Sequence, residues 1–204
     1  MRVFVAGASG AIGSRLVRRL LDRRHEVIGT YRSPGNAQRL RQLGAEPVAL
    51  DLLDVRAVRN AVREVEPDAI VHQATALADL RDFKHFDRSF AQTNRLRTDG
   101  TDALLAAARE AGVRRIVAQS YANARYERAG ESVKTEDDPL DPNPPRAMRE
   151  TSAAMSYLDE AVTDAGGIAL RYGGFYGARN DALLEPVLKR EFPIVAEGSG
   201  VSSF

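Results

Sequence analysis

Apolar and polar positions change their period along this chain, and the changes mark its elements. Arg2-Val3-Phe4-Val5-Ala6 is a short, nearly continuous apolar run, which predicts a buried strand. Over 14–21 the spacing switches to that of a helix: Ile12, Leu16 and Leu20 lie four apart, with Val17 and Leu21 beside them. Glu26–Tyr31 predicts a second strand, 37–43 a short helix stopping at Gly44, and 47–50 a third strand ending on Asp51. Asp54 is placed to cap a helix carrying Val55, Val58, Val62 and Val65 on one side, which Pro67-Asp68 breaks. Ala69–His72 predicts a fourth strand, and 94–111 a long helix closed by Gly112. Residues 83–90 mix aromatic and charged side chains and predict no definite element. A fifth strand covers 115–119 and ends on Ser120. Residues 148–164 read as a helix with Met155, Leu158, Ala161 and Val162 inward, and Ile168–Tyr172 as a sixth strand. A last helix over 182–190 and a last strand over 193–196 complete the pattern.

Strands alternating with helices predict an α/β fold, a doubly wound parallel sheet with helices on both faces. Between the first strand and the first helix stands Gly7-Ala8-Ser9-Gly10-Ala11-Ile12-Gly13. Strand, glycine turn and helix in that order predict a Rossmann nucleotide site, with phosphates on the helix N-terminus. The first glycine allows the tight turn, Gly10 lets backbone approach a pyrophosphate, and Gly13 lets the helix pack closely. Ligands on such sheets sit at the carboxyl ends of the strands. That rule selects Gly7, Ser9, Gly10, Ala11 and Ile12, then Tyr31 and Arg32, Asp51 and Leu52, Gln73 to Leu77, Ser120 and Tyr121, and Tyr172 to Tyr176. The polar, proline-rich stretch 122–146 is long for a connection and is a candidate lid or site wall.

Composition narrows the classes. A formal charge of +1 gives no case for nucleic acid. The chain has no cysteine, hence no disulfide and no thiolate metal site, and no His/Asp/Glu cluster has metal-ligand spacing. No apolar run approaches the roughly 18–20 residues that span a bilayer. The first strand begins too early for a signal peptide. The expectation is a soluble cytoplasmic protein with a small-molecule substrate and no membrane contact.

The strand ends also carry a resemblance. The matching pieces are the glycine turn, Asp51-Leu52, His72-Gln73-Ala74-Thr75-Ala76, Asn94 with Gly100-Thr101 and Leu104-Leu105, Gly112 to Arg115, Ser120, and 171–177. Together they resemble the extended or atypical short-chain dehydrogenases/reductases, the NAD-dependent epimerase/dehydratase kind. The resemblance implies that Asp51 and Leu52 contact the adenine, that Ala74, Thr75 and Ala76 line the adenosine and ribose, and that Tyr172, Gly173, Gly174 and Phe175 pass the nicotinamide. Each has a plainer use: Asp51 as a turn cap, Thr75 on local backbone, the tyrosine in packing. It also implies a homodimer paired through two helices of each chain.

NAD binders place a carboxylate at the end of the second strand to bond the ribose 2′-hydroxyl. Here Tyr31 and Arg32 stand there. No carboxylate repels a 2′-phosphate, and a guanidinium can hold one by two parallel hydrogen bonds. The residues favour NADP, with NAD the alternative.

The family's chemistry needs a tyrosine and a lysine four residues apart on the helix after the fifth strand, where the ammonium favours tyrosinate. Here Lys84, Lys134 and Lys189 follow Leu80, Gly130 and Glu185 by four, so the pair is missing. Ser120 stands where the family keeps a substrate-binding hydroxyl. Tyr121, and after it Tyr126, are the candidate replacement proton donors. Family members also continue beyond the segment that 198–204 resembles. The expectation is a dinucleotide-binding domain over 1–176 and the start of a truncated substrate-binding region over 177–204. Two functions follow: an NAD(P)-dependent oxidoreductase or epimerase of a small carbonyl, alcohol or sugar-like compound with a nonstandard proton donor, or a non-catalytic NAD(P)-binding sensor or scaffold.

Overall fold

The computed structural model describes residues 1–77, 86–122, 125–127, 130–131, 133–175 and 188–189. Six strands form one sheet: β1 (Arg2–Ala6), β2 (Glu26–Tyr31), β3 (Glu46–Ala49), β4 (Ala69–His72), β5 (Arg115–Tyr121) and β6 (Ile168–Tyr172). Their order is β3-β2-β1-β4-β5-β6, and β1 pairs parallel with β2 and β4. The chain therefore winds outward from β1 to β3, returns, and builds the other half from β4. The reversal falls between β1 and β4, where a crevice opens at the carboxyl ends of an open α/β sheet.

The helices are α1 (Gly13–Asp22), α2 (Gly35–Leu43), α3 (Val55–Val65), α4 (Phe86–Arg97), α5 (Asp99–Glu110) and α6 (Arg149–Asp164). Alternation along β1 explains why they divide between two faces. Val3 and Val5 join Val17, Val27 and Leu40 in one core. Phe4 and Ala6 join Val58, Val62, Ile70, Leu104, Leu158 and Val162 in the other. A sheet covered on both sides needs apolar residues at every position of its central strand, which the sequence of β1 supplies.

Asp54 caps α3 as expected, its Oδ1 accepting from the Arg56 and Ala57 amides at 3.1 and 3.0 Å. The helix expected over 94–111 is two helices. They part at Thr98, whose φ and ψ are −95° and −82°. The Thr98 hydroxyl donates to the Asn94 carbonyl at 3.2 Å, a back-bond that bends helices. From Phe86 the ambiguous stretch is the start of α4, where Phe86 and Phe90 stack at 4.1 Å, while residues 83–85 lie outside the described residues. The expected helix over 182–190, apart from Leu188 and Lys189, and the strand over 193–196 lie outside the described residues.

The chain divides into two compact units, Met1–Ser120 with Pro145–Leu170, and Tyr121–Pro144 with Arg171–Phe204. Within the second, the proline-rich loop folds back on itself. Tyr126 and Leu140 form an antiparallel bridge, with the Glu127 amide donating to the Pro139 carbonyl at 3.0 Å. No helix among the described residues is long and apolar enough to cross a membrane.

Candidate functional site

The glycine turn is built against its neighbours. Gly7 has φ +83°, and a Cβ there would stand 2.6 Å from the Ala74 nitrogen. A Cβ on Gly13 would stand 2.2 Å from the Gly7 carbonyl oxygen. Both positions therefore exclude any side chain. Gly10 is different: it is exposed, and a Cβ there would meet only the Gly7 carbonyl oxygen, at 3.3 Å. That open side lies before the first turn of α1, which no side chain caps. Ser9 and Ile12 are half-buried and Ala11 is exposed along the same turn. An uncapped helix start presents amides and a partial positive charge. The turn thus fits a diphosphate, as a dinucleotide cofactor would bring.

At the end of β2, Tyr31 is half-buried and Arg32 exposed, so this strand end offers a guanidinium and no carboxylate. At the end of β3, Asp51 is exposed and its Oδ1 accepts from the Leu53 amide at 3.0 Å. That bond is the plain turn-capping use. Leu52 is 4% exposed and belongs to the core, so its side chain faces protein. After β4, the buried Gln73 donates its backbone amide to the Ala6 carbonyl at 2.8 Å, while Ala74 and Ala76 are half-buried and Thr75 exposed. The fully buried Thr93 of α4 accepts from the Ala76 amide at 3.0 Å and so fixes this segment.

His72 lies beneath it. Burial pushes its imidazole down to about 4, helped by the Arg97 charge and opposed by the Leu96 carbonyl. The ring is neutral at pH 7. The geometry assigns Nε2 as the donor to the Leu96 carbonyl at 3.1 Å and Nδ1 as the acceptor from the Ala74 amide at 3.4 Å. His72 is thus a structural tie between β4, its loop and α4.

Ser120 is buried at the end of β5. The inward face of α6 carries, four residues apart, Thr151 and Met155, each 1% exposed. The Thr151 hydroxyl donates to Asp87 Oδ1 at 2.7 Å and accepts from Asn94 Nδ2 at 3.0 Å. Asp87 also accepts from the Glu150 and Thr151 amides at 3.1 and 2.9 Å. It therefore caps α6 from another helix, a role that no local pattern announces. The one tyrosine of α6, Tyr157, is exposed and donates to Asp102 Oδ1 at 2.7 Å, and that bond raises its pKa. A phenol held in this way resists giving up its proton.

In the second unit, taken by itself, the Tyr121 carbonyl accepts from Arg125 Nη1 at 3.2 Å. Arg171 Nη1 lies 3.4 Å from the Tyr126 hydroxyl, with its guanidinium carbon 5.9 Å from the ring centroid. Tyr172 and Phe175 meet edge to face at 5.2 Å, with Gly173 and Gly174 between them. Tyr176 and Gly177 lie outside the described residues. Among the described residues no three His, Cys, Asp or Glu side chains are grouped to hold a metal.

Three residues of this framework escape a sequence reading: Thr30, Thr93 and Asp87. Thr30 and Thr93 are polar residues buried at apolar positions, a signal visible only once burial is known. Asp87 acts across 63 and 64 positions of chain.

The model of the NAD dependent epimerase/dehydratase family matches residues 3–190. Over 212 residues the chain is 42% identical to a 3-diazoavenalumate denitrifying reductase of Streptomyces sp, covering 100% of this chain and 67% of the relative. It is 35% identical over 164 residues to a UDP-glucose 4-epimerase of Mycolicibacterium smegmatis, covering 78% of this chain and 50% of that one. Among solved structures, the UDP-glucose 4-epimerase of Thermus thermophilus in complex with NAD superposes with a TM-score of 0.68 at 31% identity. That match covers 89% of this chain and 58% of the epimerase. The chain thus spans between half and two thirds of the length of these proteins.

Proposed function

Because the chain belongs to the NAD dependent epimerase/dehydratase family, we propose that it binds a nicotinamide dinucleotide at the Gly7–Gly13 turn and is a reductase whose acceptor needs no proton from α6. The observation that carries this reading is the inward face of α6. Thr151 there is hydrogen-bonded on both sides and Met155 is buried. Neither can support a tyrosinate. The 42% identical relative is a denitrifying reductase of a diazo compound, and the chemistry of that class accounts for the loss. A reduced nicotinamide held at the Gly7–Gly13 turn would supply a hydride; at a diazonium carbon the new C–H bond would replace the C–N bond, whose electron pair would leave with N2. No oxyanion would form, so no phenol would be needed to protonate one.

NADP is the proposed cofactor, supported by exposed Arg32 and the lack of a carboxylate at the end of β2. The Thermus epimerase, by contrast, was solved with NAD. The test is a titration of NADPH and NADH by their fluorescence. NADPH binds at least about fivefold tighter, and Arg32→Glu reverses the order. Equal affinities, unchanged by Arg32→Glu, remove the NADP assignment. Turnover is followed as loss of reduced-nicotinamide absorbance with 4-carboxybenzenediazonium, one N2 released per hydride. Tight binding with no turnover of any acceptor leaves the non-catalytic sensor or scaffold.

A second reading, sugar-nucleotide epimerisation, is favoured by the presence of UDP-glucose 4-epimerases among the relatives. It requires a proton acceptor, for which Tyr121 is the first candidate and Tyr126 the second, with Ser120 orienting the substrate. Tyr121→Phe abolishes activity in that case and leaves diazonium reduction intact. The proposal includes a cytoplasmic setting and a homodimer. The groove between α4 and α6, lined by Ala91, Thr98, Ala153, Ala154 and Tyr157, is the surface offered to a second copy, and sedimentation equilibrium tests it.

A further inference from the structure

The glycine turn does not stand on its own backbone alone. Two residues of β2 form its floor. Thr30 is 3% exposed in a strand otherwise apolar at its centre, and its Oγ1 accepts from the Gly7 amide at 3.1 Å. The Gly7 carbonyl in turn accepts from the Gly10 amide at 3.1 Å, and the Gly10 carbonyl accepts from the Ser14 amide at 3.0 Å. These bonds form a continuous ladder from β2, through both walls of the turn, into the first turn of α1. The residue before Thr30 contributes shape. A Cβ on Gly29 would lie 2.8 Å from the Ala8 Cβ and 3.3 Å from both Leu40 methyls. Ala8 is fully buried, so its methyl occupies the space that glycine in β2 leaves.

We propose that Gly29 and Thr30 are positioning residues for the cofactor diphosphate: Gly29 seats Ala8, and Thr30 orients the Gly7 peptide from which the hydrogen bonds through Gly10 to Ser14 set the turn. The inference rests on the reading that this chain binds NAD(P). Its physical content is that Gly7, at φ +83°, turns its half-buried amide toward Thr30. Without that acceptor a partly desolvated donor is left unpaired, and the turn relaxes toward another conformation. Thr30 also stands next to Tyr31 and Arg32. The strand end that reads the 2′ position and the turn that reads the diphosphate are therefore held by consecutive residues of one rigid strand.

Two variants and two readouts test this. Thr30→Val keeps the shape of the side chain and removes the acceptor; Thr30→Ser restores the acceptor without the methyl. NADPH and adenosine 2′-monophosphate are titrated against each. The second ligand keeps the adenosine and the 2′-phosphate but has no phosphate on the 5′ side. Thr30→Val weakens NADPH about tenfold, equivalent to about 1.4 kcal/mol, leaves the monophosphate within about twofold, and Thr30→Ser recovers most of the loss. Equal weakening of both ligands, or no weakening of NADPH, overturns the positioning role. Amide hydrogen exchange in the ligand-free protein reads the ladder directly: Thr30→Val speeds exchange at Gly7 and Gly10, while amides of β4 keep their protection. Unchanged exchange at Gly7 refutes the ladder whatever binds. Failure of the unaltered chain to bind either nicotinamide cofactor overturns the proposed function and the cofactor role together, with the exchange pattern still deciding the ladder.

Discussion

Removing the Asp87 carboxylate should destabilise the fold through a helix that Asp87 does not belong to. Asp87 lies in the first turn of α4, yet its oxygens accept from the Glu150 amide, the Thr151 amide and the Thr151 hydroxyl at 3.1, 2.9 and 2.7 Å. The first two are orphan donors of α6, whose own N-cap position, Met148, makes no side-chain bond. Losing an N-cap side chain costs about 1 kcal/mol and up to about 2, and a hydrogen bond to a charged group contributes about 1.5–3 kcal/mol. These terms overlap, since all three donors use one carboxylate and the Thr151 hydroxyl keeps Asn94 as a partner. Asp87→Ala is therefore expected to cost about 2–3 kcal/mol. For a domain of this size each kcal/mol lowers the melting temperature by about 2–4 °C, so the fall is on the order of 8 °C. Asp87→Asn retains an acceptor and loses the charge that favours a helix N-terminus, so it should cost about 1 kcal/mol. Urea unfolding followed by circular dichroism measures all three proteins, with an unchanged slope expected. Thr151→Val in both backgrounds should show a coupling of at least about 0.5 kcal/mol. If Asp87→Ala unfolds within about 0.5 kcal/mol of the parent, the capping account is wrong.

Further tests address other parts of the frame. The His72 imidazole sits at about 4 in the fold against 6.5 in the unfolded chain, so between those values the unfolded state binds the extra proton. Its contribution is complete above pH 6.5 and is lost as pH falls toward 4, by about 3 kcal/mol in total; the difference in unfolding free energy between the parent and His72→Asn should shrink across that window, and a constant difference would refute it. Gly13→Ala puts a methyl 2.2 Å from the Gly7 carbonyl oxygen and 2.9 Å from the Ala8 Cα. Backbone must move, so a loss of about 1–3 kcal/mol is expected along with loss of NADPH binding; retained nanomolar-to-micromolar binding would show the turn to be more pliant than its contacts. Placing a tyrosine and a lysine four residues apart on the inward face of α6, as Thr151→Tyr with Met155→Lys, should not create an active site. Both positions are 1% exposed, so the double variant should be strongly destabilised, and a stable variant with new ketoreductase activity would refute this.

The parts of this protein that the sequence makes legible are those set by local rules. Val3 and Val5 against Phe4 and Ala6 give a strand covered on both faces, and period alone shows this. Gly7, Gly10 and Gly13 announce the turn because backbone sterics leave no other residue possible at two of them. Asp54 announces α3 because its bonds reach only two and three residues ahead. Legibility fails where a bond closes a long stretch of chain. The break at Thr98 is a separate case: its hydroxyl bonds the Asn94 carbonyl only four residues back, and the apolar spacing of a long helix conceals it. Thr151 reads as an ordinary threonine of a helix, and only its partners 57 and 64 positions away show that it is held from both sides.

That difference bears on which half of the chemistry can be lost. The turn that fits the diphosphate is made of backbone amides, a helix start and missing side chains, so it persists as long as β1, β2 and α1 pack together. The acid–base pair of the family is two side chains on one face of one helix, replaceable without disturbing the sheet. In this chain the inward face of α6 is a strut: Asp87, Thr151 and Asn94 join α4 to α6 by hydrogen bonds of 2.7–3.0 Å, and Met155, four residues on, is buried. On the proposed reductase reading α6 supplies no proton, and a product charged on oxygen would need one from Tyr121 or Tyr126, so the acceptor, rather than the cofactor, is the variable that substrate trials should scan.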